Sequence, residues 1–144
     1  MTSFTIEENR LEAVLYLLDN IPELDTSPLF EEILSRTAQV PHLILTAYDG
    51  KQPIGFKIGY ERDGHFYSWL GGVLPGCRQK GIAAFLADHQ EEWAKNEGYT
   101  DIWMKTRNRF PEMLIMALRR GFRIMSLDPR ETIEEHRIVL AKSL

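Results

Sequence analysis

Apolar and polar positions along this 144-residue chain change period several times, and each change marks the boundary of an element. Ser3 to Ile6 alternates briefly and predicts a first strand. From Asn9 to Asn20, Leu11, Val14, Leu15, Leu17 and Leu18 recur at helical spacing, with acids in the early turn and Pro22 after the stop. Asp25, Thr26 and Ser27 are candidate caps for a second helix over Leu29 to Ala38, with Pro28 in its first turn. Leu43 to Tyr48 reads as a strand. Asp49-Gly50 turns it into Ile54 to Tyr60, and Asp63-Gly64 turns that into Phe66 to Val73, so three consecutive antiparallel strands are predicted. A helix follows from Ile82 to Glu97, with Ile82, Phe85, Leu86, His89 and Trp93 on its apolar face and Gly98 as its stop; on that face His89 reads as a packed core histidine. Asp101 to Thr106 is the next strand, parallel to the Phe66 strand because a helix connects them. Pro111 opens a helix to Arg120 that Gly121 ends, and Phe122 to Met125 and Glu135 to Lys142 complete the pattern.

The order β, α, α, β, β, β, α, β, α, β, β, without repeats or linkers, predicts a single layered α/β (α+β) domain over residues 1–144, with a mixed, mostly antiparallel sheet flanked by helices. At 44% hydrophobic residues the chain can bury a core of its own. The net charge of −4 and the lack of a basic and aromatic surface motif argue against nucleic acid as a partner. Charge is unevenly spread, however. Met1 to Tyr60 carries nine acids and four bases, whereas Asp101 to Arg123 carries six bases and two acids. Cys77 is the only cysteine, which forbids a disulfide within the chain and makes the cytoplasm the expected compartment. The opening residues have neither a basic region nor an apolar run, and no stretch is long enough to cross a membrane. No His, Cys or carboxylate cluster has metal-ligand spacing, so no metal is expected. Trp69, Trp93 and Trp103 read as core or cleft-wall aromatics.

Trp69 to Phe85 carries the chemistry. An apolar strand is stopped by Pro75-Gly76, a short basic loop follows, and a helix restarts after Gly81. Such a turn aims free backbone N–H groups and the positive end of the helix dipole outward, which makes an anion site. Gly81 and Ala83 keep its surface bare, so a phosphate or pyrophosphate can reach the backbone, and Arg78 and Lys80 add charge unless they are merely exposed loop bases. Gly76 and Gly81 have the spacing of a Walker loop, but Ile82 and Ala83 stand where Lys and Ser/Thr belong. The dinucleotide pattern G-x-G-x-x-G is absent as well.

Arg78-x-x-Gly81-x-Ala83, preceded by Val73-x-Pro75 at a strand end, resembles motif A of the GCN5-related N-acetyltransferases (GNAT family). Asn108, a helix and then Arg120-Gly121-Phe122 are similar to that family's second signature, and the element order matches over nearly the whole chain. The resemblance implies a splayed parallel strand pair that holds acetyl-CoA. Gly71, Gly72 and Val73 would offer backbone groups to its pantetheine arm and thioester carbonyl, while Arg78, Gln79, Lys80, Gly81, Ile82 and Ala83 would bind the pyrophosphate. Gly71-Gly72 reads equally as a bulge or a close-packing point. Asn108 would lie near the pantetheine or cap the following helix; from their charge alone, Lys105, Arg107 and Arg109 are candidates to meet the ribose phosphate.

The implied activity is acetyl transfer to a primary amine of a small molecule or peptide by direct attack on the thioester. The position where many members carry a tyrosine that protonates the leaving thiolate is Ala117 here, so another acid serves or the thiolate leaves unassisted. Glu61, His65, Tyr67 and Ser68, near strand ends, are the candidate catalytic groups, each with an ordinary reading as a turn or sheet residue. Cys77 has no evident histidine partner and reads as a loop residue. The acidic first half favours a cationic acceptor, and the resemblance leaves a homodimer open. The alternative is a domain of the same fold that binds acyl-CoA as a sensor without turnover.

Overall fold

The computed structural model describes residues 3–24 and 26–144. Its elements are β1 (Phe4–Glu8), α1 (Leu11–Asn20), α2 (Thr26–Thr37), β2 (His42–Asp49), β3 (Gln52–Arg62), β4 (His65–Val73), α3 (Ile82–Asn96), β5 (Asp101–Arg107), α4 (Pro111–Arg119), β6 (Arg123–Asp128) and β7 (Arg137–Ser143). Among the described residues the strands form one seven-stranded sheet in the order β1-β2-β3-β4-β5-β7-β6. Every neighbouring pair is antiparallel except β4 and β5. The predicted mixed α/β sheet and its parallel pair are therefore present. Of the candidate caps for α2, Asp25 lies outside the described residues and Thr26 is already helical.

Alternation along the strands divides the core in two. On one face, Val14, Leu17 and Leu18 of α1 and Ile33 of α2 pack on Ile44, Phe56 and Ile58. On the other, Ile82, Leu86 and Ala94 of α3 and Ala117 of α4 pack on Leu45, Phe66, Ile102 and Leu140. Among the described residues the first cluster contains none of β5, β6 or β7, so the half of the sheet beyond β4 lacks an apolar helix cover from them on that side.

The helix α3 sits close on β3 because glycines face it. A Cβ on Gly59 would meet the Phe66 ring at 2.4 Å and Gln90 Nε2 at 2.8 Å, and one on Gly55 would meet Ile82 at 3.2 Å. The buried face of α3 is Ile82, Leu86, Ala87, Gln90 and Ala94. His89, expected in the core, is exposed with its ring edge against Phe85, 5.1 Å between centroids. Gln90 takes the inward position one residue on, because the apolar residues of this helix are compatible with two neighbouring phases. The last strands also lie later than predicted, with β6 starting after Phe122 and β7 at Arg137.

Charge ties α3, α4 and β7 together. Glu91 accepts from Arg120 Nη2 at 2.9 Å and from Lys142 Nζ at 2.5 Å, and Arg120 also reaches Asp88 at 2.7 Å. Glu91 and Arg120 are only 15% and 17% exposed, so losing one partner strands the other charge in a poorly solvated place. We predict that Glu91→Ala destabilises the protein by about 2 kcal/mol in chemical denaturation, a value reduced for partial exposure. Glu92→Ala, on the exposed side of the same turn, should stay within about 0.5 kcal/mol of the parent.

Candidate functional site

The parallel pair is short. Phe66 faces Ile102, Tyr67 faces Trp103 and Ser68 faces Met104, and there the pairing ends. Both strands continue, β4 with β3 as far as Val73 and β5 with β7 as far as Arg107, so a wedge opens between them. The cause lies one residue beyond the last pair. Ile58 faces Leu70 and Gly59 faces Ser68, which leaves Trp69 as the extra residue of a β-bulge. The Gly71-Gly72 pair is not that bulge: both residues are in regular register with Lys57 and Phe56. Close packing explains them better, since a Cβ on Gly72 would meet Ile21 at 2.9 Å and one on Gly71 would meet the Phe56 carbonyl at 3.1 Å.

Backbone alternation decides which groups line the wedge. Leu74 N–H is donated to the Ile54 carbonyl, 2.9 Å. Two residues back, Gly72 also turns to β3, whereas Gly71 and Val73 turn their N–H and C=O groups toward the wedge. The Val73 carbonyl accepts from Arg78 Nε at 3.1 Å. Of the three residues expected to offer backbone groups, Gly72 is thus directed away.

The wedge leads to the start of α3. Gly81, at φ +81°, is its uncapped first boundary, and the first helical bond is Phe85 N–H to the Gly81 carbonyl. The amides of Ile82, Ala83 and Ala84 accordingly have no backbone acceptor and point out of the first turn. A Cβ at Gly81 would meet nothing within 4 Å. Gln79 also adopts a positive φ of 63°, which bends the loop back over the helix end. Lys80 is exposed here, while Arg78 is held by Glu23 at 2.6 Å. A groove of about 390 Å³ continues between α3 and α4, lined by Ala84, Ile115, Met116 and Arg119 among others.

At its inner end a smaller cavity is lined by Ser68, Met104, Met113, Ala117 and Lys57. Lys57 faces Gly71 across the strand pair, and the space above that glycine lies 3.6 Å from Lys57 Cγ. Burial, reinforced by Arg120 and opposed by Glu91, lowers the Lys57 ammonium to about 8. Sequence reasoning passed Lys57 over; its signal was a lysine between Gly55 and Gly59 on the inward side of an apolar strand.

The expected catalytic residues do not converge. Glu61 accepts from Tyr99 Oη at 2.9 Å, and burial together with this bond raises Tyr99 to about 12. His65 Nδ1 lies 2.6 Å from Asp101 Oδ1, against the Trp103 ring. Both stand at the start of the parallel pair, away from the wedge. Tyr67 lies next to the opening on the side facing away from α3, and burial, then Tyr60, raises its phenol, so it stays protonated at neutral pH. Ser68 is at the last pair, in the inner cavity. Asn108 Nδ2 donates to the Ile133 carbonyl at 2.8 Å and does not cap α4. Arg107 and Arg109 both pair with Glu135, and Lys105 lies over the Tyr67 ring.

A profile described as "Acetyltransferase (GNAT) family" matches residues 10–122, and the chain belongs to that family. Among solved structures, the ribosomal-protein-S18-alanine N-acetyltransferase from Escherichia coli superposes with a TM-score of 0.84 at 16% identity, over 98% of this chain and 94% of that one. The IAA acetyltransferase from Bacillus cereus ATCC 14579 gives 0.78 at 26% identity, over 99% and 100%. A GNAT family acetyltransferase from Elizabethkingia anophelis with acetyl-CoA bound gives 0.76 at 21% identity, over 98% of both chains. No curated protein matches the sequence. Among the described residues, no helix is long and apolar enough to cross a membrane, and no group of three His, Cys, Asp or Glu residues could hold a metal ion.

Lys57 yields a pH signature. Its folded pKa, about 8, lies below its ordinary value of 10.5, so between those values the unfolded chain keeps a proton that the folded one has lost. Stability from this site therefore rises with pH through that window. Lys57→Met should melt at a higher temperature than the parent at pH 7, and the difference should shrink as the pH approaches 10; a constant difference would contradict the assigned shift.

Proposed function

We propose that this protein is an acetyl-CoA-dependent N-acetyltransferase that acts on a primary amine. The observation that carries the reading is that two sets of unpaired backbone groups, the first-turn amides of α3 and the edge of β4 beyond Ser68, flank the same opening. Acetyl-CoA supplies an activated acetyl thioester. The amides of Ile82, Ala83 and Ala84 and the Lys80 charge would receive its pyrophosphate. Gly71 and Val73 would pair with the pantetheine arm as a missing strand would. A β4 N–H aimed at the thioester oxygen would act as an oxyanion donor, and such donors contribute about 100- to 1,000-fold in rate.

Ala117, 1% exposed in the core, offers no proton. Lys57 Nζ, in the inner cavity, is the titratable group that the geometry offers to a leaving thiolate. Its lowered pKa is close to the ordinary thiol value of about 8.5, which suits proton transfer near neutrality. A Lys57→Met enzyme should lose kcat with little change in the KM for acetyl-CoA. The second reading, an acyl-CoA sensor without turnover, is favoured because Glu61 and His65 are engaged by Tyr99 and Asp101 away from the wedge, and an acetyl-transfer assay separates the two.

The cofactor site is tested at Gly81. Any side chain there pays the strain of a positive φ, about 1 kcal/mol, so Gly81→Ala is the control for Gly81→Glu. Both should melt slightly below the parent. Acetyl-CoA at 100 times its dissociation constant should stabilise the parent and Gly81→Ala by about 2.7 kcal/mol. Gly81→Glu, with a carboxylate at the phosphate position, should lose at least about tenfold in affinity. Equal affinity in all three proteins would place the cofactor elsewhere.

A further inference from the structure

The side of the wedge away from α3 and α4 is basic and aromatic. Register places Tyr60 opposite Tyr67, Tyr67 opposite Trp103, and Arg107 opposite Arg137, so all of these face the same way. The Tyr67 ring is the centre. Arg62 lies 5.4 Å and Lys105 Nζ 5.9 Å from its centroid, and Tyr60 meets it edge-on at 5.6 Å. Arg36 extends the surface over Trp69 at 4.3 Å.

Most charges near this face are already matched. Arg36 pairs with Glu32, Arg107 with Glu135, Arg130 with Asp128, and His65 with Asp101. Among the described residues, Arg62, Lys105 and Arg137 have no carboxylate partner within ion-pair distance. Arg137 Nε is also buried without a hydrogen-bond acceptor, as is Trp103 Nε1 on the same face. Asp128, opposite Arg137 in register, is the nearby counter-charge and is already held by Arg130, so three cations gathered here still repel one another, and a buried guanidinium N–H without an acceptor costs free energy. An incoming oxyanion relieves both. Of the carboxylates in the acidic first half, Glu32 reaches the edge of this surface and is matched there by Arg36, while Glu7 pairs with Arg10 and Glu23 with Arg78 elsewhere.

We propose that the acceptor amine carries an oxyanion, a carboxylate or a phosphate, which Arg62, Lys105 and Arg137 receive beside the Tyr67 ring. The inference rests on the acetyl-transfer reading, because α3 and α4 cover the other side of the wedge and leave this face as the acceptor's approach. It replaces the expectation of a cationic acceptor. It also supplies what a missing general base would have done. Positive charge around the acceptor disfavours its ammonium form, so the free amine needed for attack is more populated. Burial, then Arg62 and Arg137, already lower the Lys105 ammonium in the same way, against the opposing Asp128 carboxylate.

Matched acceptors test this. Phenylalanine is compared with phenylalaninamide for the carboxylate, and phosphoethanolamine with ethanolamine for the phosphate, in an assay that follows CoA release. At least one oxyanion member should exceed its neutral partner about 10- to 100-fold in kcat/KM, the range of a charge-assisted contact. Arg62→Gln and Lys105→Gln should erase that preference through the acceptor KM while leaving the acetyl-CoA KM unchanged. Neutral members used equally well or better would overturn the proposal. If no amine is acetylated although acetyl-CoA binds, the transfer reading fails and the site is read by tryptophan fluorescence from Trp69 and Trp103. Phenylacetate should then bind at least tenfold more tightly than phenylacetamide, and Arg62→Gln should abolish the difference; equal binding would refute the oxyanion site.

Discussion

The parting of β4 from β5 after Ser68 and Met104 is the constraint on which the site depends. A parallel pair normally satisfies its backbone groups along its whole length. Here β4 keeps its bonds to β3 through Val73 and β5 keeps its bonds to β7 through Arg107, so the facing edges are held open by structure on both sides. One extra residue, Trp69, is enough to start the divergence. The result is an internal strand edge with free donors and acceptors, sheltered from the edge-to-edge pairing that an outer strand would invite.

The two faces of the sheet then divide the work. On the α3 and α4 side, glycines on β3 let α3 settle closely and aim its first amides beyond the end of β4, and the Glu91 network fixes α4 and β7 against it. On the opposite side, α1 and α2 pack over β2 to β4 and leave β5 and β7 without an apolar cover. The cations there therefore remain close to the opening instead of being spent on helix packing. A slightly acidic protein can thus present a locally positive surface, which a net charge of −4 conceals.

Much of the fold was legible because it is written in short-range chemistry. Asp49-Gly50 and Asp63-Gly64 announce their hairpins, with Gly50 and Gly64 at φ of 62° and 81°, and the loop from Pro75 to Gly81 announces the helix start. What escaped depends on register and on three-dimensional pairing. A bulge of one residue has no period, so Trp69 looked like its neighbours and the glycines drew the attention. The helical phase of α3 was off by one position, which exchanged His89 for Gln90. Glu61 and His65 looked free because their partners, Tyr99 and Asp101, lie 38 and 36 residues away. The basic face is assembled from β3, β5, β7 and α2, and a count of charges along halves of the chain could not reveal it.

In the proposed complex, the edge of β4 facing the wedge receives an extended acyl-CoA arm. Residue-resolved amide hydrogen exchange with and without acetyl-CoA tests it most directly. In the free protein the Gly71 and Val73 amides should exchange quickly and Phe66 and Tyr67 slowly. Acetyl-CoA should slow Gly71 or Val73, together with Ile82 to Ala84, and leave the rest of β4 unchanged. Binding that slowed amides elsewhere, with Gly71 and Val73 still exchanging freely, would contradict the account.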